Sequence, residues 1–151
     1  MAIGWLEMWL PLLSSVAFWL LSSLLVGLLA NGLPQGWLQG AGTESVQPWP
    51  PPGIRLWKRW IPDAGGALPG GVPKASLVRR DPRSLRRLVL ETRRAELVHW
   101  LLLPVGLLTA LWLPPAGVVV NLAFALVFNV PCLLLQRYNR ARLRRCLSRL
   151  R

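Results

Sequence analysis

Residues 90–100 read LETRRAELVHW. They gather two carboxylates (Glu91, Glu96), two guanidiniums (Arg93, Arg94) and the single histidine of the chain, His99. An apolar run follows at once. Ionisable groups at the mouth of a membrane helix are costly unless they are paired or wetted, so such a cluster reads first as a functional site. At about 100° per residue of helix, His99 falls between the two carboxylates, one turn past Glu96 and two past Glu91. A carboxylate beside an imidazole fixes its tautomer and raises its basicity, the arrangement expected of a general base. Ala95 leaves room on that face, and Arg94 stands three residues from Glu91, within reach of an ion pair. The plainer alternative is an ordinary helix salt bridge with His99 and Trp100 as an interfacial pair.

The chain carries no GxSxG, no HExxH and no sequence pairing of Cys with His. Cys132 lies in an apolar run and Cys146 in a basic segment, so neither a metal-ligand spacing nor a disulfide framework is visible. No metal and no cofactor is expected. Without a protein nucleophile, His99 with Glu96 or Glu91 suits removal of a proton from a substrate hydroxyl. That hydroxyl then attacks an activated acyl group directly. Farther along stand Asn129 and Pro131, inside an apolar run, and then Gln136, Arg137, Tyr138, Asn139 and Arg140 at the same end as His99. With Arg94, the cluster from Gln136 to Arg140 could hold the anionic part of a thioester donor. It could equally anchor a helix on acidic lipid, and Asn129 could simply tie two helices together.

These residues must be positioned by apolar elements. The 151 residues suffice for one domain, 53% of them are hydrophobic, and the apolar residues come in blocks. Blocks of this kind, with nine Trp, describe an integral membrane protein. Spans are expected at about residues 9–30, 97–113 and 118–135, giving an all-α membrane protein with three transmembrane helices. One or two interfacial helices belong to a cytoplasmic region, 31–96, and a basic tail covers 136–151. The first span is too long and its flank too acidic for a cleaved signal peptide. GIRLWKRWIPD, residues 53–63, places Ile54, Trp57 and Ile61 on one stripe with basic residues between them, an amphipathic helix on a membrane surface ended by Pro62. Residues 64–74 are a Gly/Pro loop. A helix is expected over 76–96, with Asp81 as cap and Pro82 at its first position.

Charge then sets topology. The formal net charge is +12, and the 18 Lys and Arg fall as eleven between Arg55 and Arg94 and seven after residue 135. Three spans put both groups on one side, which the positive-inside rule makes the cytoplasm. The protein is therefore expected in the plasma membrane, multi-pass, N-terminus outside and C-terminus cytoplasmic. Basic residues distributed in this way serve topology and lipid contact, and nucleic acid is not an expected partner.

ETRRAELVHW, followed about thirty residues later by NVPCLLLQRYNRARL, resembles the glycosyl-4,4'-diaponeurosporenoate acyltransferase family of carotenoid biosynthesis. GIRLWKRWIPD resembles that family's upstream stretch. The resemblance covers roughly residues 53–143 and implies transfer of a fatty acyl chain to a sugar hydroxyl of a glycosylated carotenoid. It implies an acyl-CoA or acyl-carrier-protein donor and a lipid acceptor within the membrane. By position it points to Trp57, Lys58, Pro62, Glu91, Arg94, Glu96, His99, Trp100, Asn129, Pro131, Gln136, Arg137, Tyr138, Asn139 and Arg140. Of these, His99, Glu96 and Glu91 are the catalytic candidates. Arg94, Trp57, Lys58, Trp100, Asn129 and the Gln136–Arg140 cluster are the substrate-binding ones. The Pro/Gly-rich segments depart from the family pattern. A reading from another class, an assembly or lipid-organising membrane protein whose charged helix docks a partner, predicts tolerance of His99→Gln.

Overall fold

The computed structural model of the protein describes residues 2–39, 52–61 and 81–150. Pro62, the loop expected at 64–74 and the first residues of the helix expected from 76 lie outside them. Among the described residues all regular structure is helical: α1 (Ala2–Asn31), α2 (Gln35–Gln39), α3 (Ile54–Trp57), α4 (Pro82–Val105) and α5 (Pro115–Ser148). Three of these, α1, α4 and α5, are long and apolar enough to cross a membrane.

The helices form for local reasons. In α1 the stretch Trp9–Asn31 carries no charge, and the helix continues through Pro11, which lies inside it. α4 starts at Asp81, as its sequence predicts. One carboxylate oxygen accepts from the N–H groups of Arg83 and Ser84, at 3.0 and 2.9 Å. The other accepts the Ser84 hydroxyl at 2.6 Å. The hydroxyl bond first, and then the backbone N–H groups, hold the Asp81 carboxyl below the usual carboxylate range. α4 runs unbroken to Val105 and relaxes into a 3-10 turn, Gly106–Leu111. Proline 104 supplies no N–H to the last turns, which favours that change of pitch. Thr109, fully buried, closes the turn with a hydroxyl bond to the Gly106 carbonyl at 2.7 Å. A Cβ at Gly106 would stand 3.3 Å from Leu122 and 3.5 Å from Ala125, so glycine lets α4 and α5 approach closely here.

α5 differs from the expected span plus tail. It is one helix from Pro115 to Ser148, continuous through Pro131, so Arg137, Arg140, Arg142, Arg144 and Arg145 ride on a helix. Short α3, entered through Gly53 in the left-handed conformation (φ 65°) and continued by a 3-10 turn, Lys58–Trp60, shows the expected stripe. Ile54 is buried and Trp57 and Ile61 are half-buried, while Arg55 and Arg59 are exposed.

α1 and α5 run parallel and α4 runs against them. Trp19, Leu102 and Ala125 form a core where the three meet. Leu85, Leu88 and Leu143 form a second one toward the charged end. The basic residues of α4 and α5 therefore collect at one end of the bundle, and the 106–114 turn lies at the other. The outer surface carries exposed leucine and valine, such as Leu20, Leu21 and Val127, each about two-thirds exposed. That belt suits hydrocarbon rather than water.

Candidate functional site

A cleft of about 1660 Å³ runs between α1, α4 and α5. Its walls change character along its length. Toward the turn end they are apolar, with Leu12, Val16, Leu20 and Phe124. Toward the basic end they include Glu91, Arg94, His99, Asn129, Gln136 and Asn139. On α5 the polar contributors Asn129, Cys132, Gln136 and Asn139 are spaced 3, 4 and 3 residues apart, which is one helical stripe. On α4, Glu91, Ala95, Val98 and His99 form the facing stripe.

The imidazole is held across the bundle. His99 Nδ1 lies 2.9 Å from Asn129 Oδ1. The same amide donates from Nδ2 to the Ala125 carbonyl at 2.8 Å. That bond assigns the amide orientation, so Oδ1 accepts and His99 Nδ1 donates. In the neutral ring the lone pair therefore sits on Nε2. The orienting contact comes from an amide on α5, where helix spacing alone puts His99 between the carboxylates of α4.

Both carboxylates are taken up by arginine. Arg94 Nη1 donates to the two oxygens of Glu91 at 2.7 and 2.8 Å, the ion pair its spacing predicts. Arg94 Nε is buried with no hydrogen-bond partner among the described residues, an expensive state that a bound acceptor would relieve. Glu96 turns to α5. It accepts Arg137 Nε at 2.6 Å and Arg140 Nη2, with Trp100 Nε1 at 3.4 Å. Arg140 is 1% exposed and Glu96 half-buried, so a buried arginine joins α5 to α4 through this ion pair. The sequence assigned Glu96 to orient His99 and Arg140 to the donor; the geometry makes the two a strut between helices.

The other candidates divide the same way. Gln136 is buried and Asn139 half-buried, both on the cleft. Arg137 is more than half exposed, with its guanidinium over the Trp100 ring at 5.8 Å. Tyr138 lies under Arg142 at 5.7 Å. Trp57 donates to the Pro52 carbonyl at 3.0 Å. It lines a separate apolar pocket of about 450 Å³ with Trp60, Pro131 and Leu134. Lys58, beside it, is half-buried. Cys132 was missed as a cleft residue, although its place in the α5 stripe signals it. So was the tie between Trp19 Nε1 and Asn121 Oδ1, at 2.8 Å. Among the described residues no three His, Cys, Asp or Glu side chains converge as a metal site.

Fold and site together define a small helical membrane protein whose cleft joins a polar, histidine-bearing end to an apolar channel. Residues 49–149 match the family model of glycosyl-4,4'-diaponeurosporenoate acyltransferases, and the chain belongs to that family. Proteins of that name from Staphylococcus aureus strains USA300 and NCTC 8325 are each 33% identical to it over 91 residues. The aligned part is 60% of this chain and 54% of the relative, so the chain spans about half the length of the curated relatives it matches. No solved structure matches it.

Proposed function

We propose that this chain transfers a fatty acyl group from a thioester donor to a sugar hydroxyl of a glycosylated carotenoid, with His99 as general base. The observation that carries this reading is the His99–Asn129 pair at the junction of the polar and apolar parts of one cleft. A thioester with an anionic head and a long apolar chain needs that polarity change, and a sugar hydroxyl meets its carbonyl at the polar end.

In this reading His99 Nε2 takes the proton of the sugar hydroxyl as its oxygen bonds to the thioester carbonyl carbon. The tetrahedral intermediate collapses, the C–S bond breaks, and the departing thiolate takes the proton back from the imidazolium. Asn129 holds the ring by Nδ1 throughout. Gln136 and Asn139 supply amide N–H groups to the sugar or to the developing oxyanion. Arg94, anchored by Glu91, offers Nε–H to an acceptor oxygen. Arg137 and the exposed basic residues beside it attract an anionic donor, either acyl-CoA or an acyl-carrier protein.

The basic end faces the cytoplasm by the positive-inside rule, which leaves the N-terminus outside the plasma membrane. Exposed Cys146 then reacts with an impermeant thiol reagent in inside-out vesicles and is protected in right-side-out ones. The test of the chemistry is His99→Ala. Membranes containing it at the wild-type level should form the acyl ester at least about a hundredfold more slowly. Ester formation at the wild-type rate would remove His99 from the mechanism.

A further inference from the structure

The apolar half of the cleft is crossed by a bar. Trp19 of α1, 8% exposed, donates to Asn121 of α5. Asn121 in turn donates from Nδ2 to Ser15 Oγ at 3.3 Å and to the Gly117 carbonyl at 2.9 Å. The indole also packs against Phe124, the rings tilted by 48° with centres 5.2 Å apart. Ser15, Trp19, Gly117, Asn121 and Phe124 all line the cleft, and it continues beyond them to Leu12 and Pro114. The bar therefore stands partway along the cleft rather than at its end.

Its distance from the reacting centre follows from the helix. Asn121 precedes Asn129 by eight residues, or about 12 Å along α5. A carbonyl carbon placed at His99, with its chain running down the cleft, meets the bar after that length. The occupant that suits this segment is a saturated acyl chain. It is flexible enough to enter beside the sugar-binding end and short enough to stop at the bar. A conjugated polyene is a rigid rod and does not bend around one.

Resting on the acyl-transfer reading, we propose that the Trp19–Asn121 bar is the stop that sets the length of acyl chain the protein transfers. Trp19→Ala opens the near half of the cleft into the far half. The test offers membranes of each variant an equimolar ladder of saturated acyl thioesters, short to long, with the glycosylated carotenoid as acceptor. Product esters are then compared by mass. Trp19→Ala should raise the ratio of long to short esters about tenfold or more, the size of discrimination a few methylenes give in an apolar pocket. Trp19→Phe, which keeps a ring in place, should shift it less. Phe124→Ala, at a half-open position, should shift it in the same direction and keeps the test decisive if Trp19→Ala fails to accumulate. A role in packing alone lowers total ester and leaves the ratio unmoved, and an unmoved ratio in both alanine variants overturns the proposal. No ester from wild type with any member of the ladder overturns the acyl-transfer reading itself, and the length stop with it.

Discussion

Two amide–ring pairs, eight residues apart on α5, use the same local device. Asn121 and Asn129 each donate Nδ2 to the carbonyl four residues back, Gly117 and Ala125. Each presents Oδ1 to a ring nitrogen on another helix, Trp19 Nε1 at 2.8 Å and His99 Nδ1 at 2.9 Å. The backbone bond fixes the amide so that its oxygen faces across the bundle. What differs is the ring. Indole has one nitrogen and it only donates, so the bond completes its polar chemistry. Imidazole has a second nitrogen, and the bond fixes which one keeps the lone pair. Their surroundings diverge to match: Phe18 and Phe124 pack on Trp19, whereas His99 shares its end of the cleft with Glu91, Arg94, Gln136 and Asn139. A helix tie and the proposed catalytic centre are thus built from one motif, and only the ring and its neighbours distinguish them.

That contrast can be broken at several points. The largest effect on stability is expected at the strut behind the polar end. Arg140→Ala takes the inner guanidinium from half-buried Glu96, which keeps Arg137, and should cost about 1–3 kcal/mol. The variant should accumulate poorly in membranes and unfold early in detergent. Arg137→Ala removes the other arginine partner of Glu96 from a position 56% exposed. Its stability cost should be at most about 1 kcal/mol, with any loss of activity appearing as weaker use of an anionic donor. At the Trp19 pair, Asn121→Ala should cost about 0.6 kcal/mol, typical of a polar contact between membrane helices, read by thermal unfolding in detergent. A loss of several kcal/mol there would show that the bar is chiefly a fold determinant.

The sequence discloses most of what lies within one helix. Charge-free runs mark the three spans, Asp81-Pro82 marks the start of α4, and the spacing of Glu91 and Arg94 marks their pair. It fails where a contact joins two helices. His99 and Asn129 are thirty residues apart, and a helical wheel for α4 places His99 among its own carboxylates without showing what α5 offers. Glu96 is drawn away for the same reason, because Arg137 and Arg140 reach it from a segment that reads as a solvated tail. Only a continuous α5 carries Arg140 into the interior, and the basic composition of residues 136–151 conceals that continuity. The stripe of Asn129, Cys132, Gln136 and Asn139 was present in the spacing and becomes meaningful once α5 is known not to end at 135.

The central claim is that the Asn129 amide serves chemistry while the Asn121 amide serves the shape of the cleft. It is tested most directly by total ester formed by membranes holding equal amounts of wild type, Asn121→Ala and Asn129→Ala, each given the glycosylated carotenoid and an acyl thioester. Asn129→Ala should fall by about tenfold or more, as the imidazole loses the bond that fixes its tautomer and orientation. Asn121→Ala should still make ester, with a changed chain-length profile. Equal losses in the two variants, or an Asn129→Ala protein as active as wild type, would contradict the account.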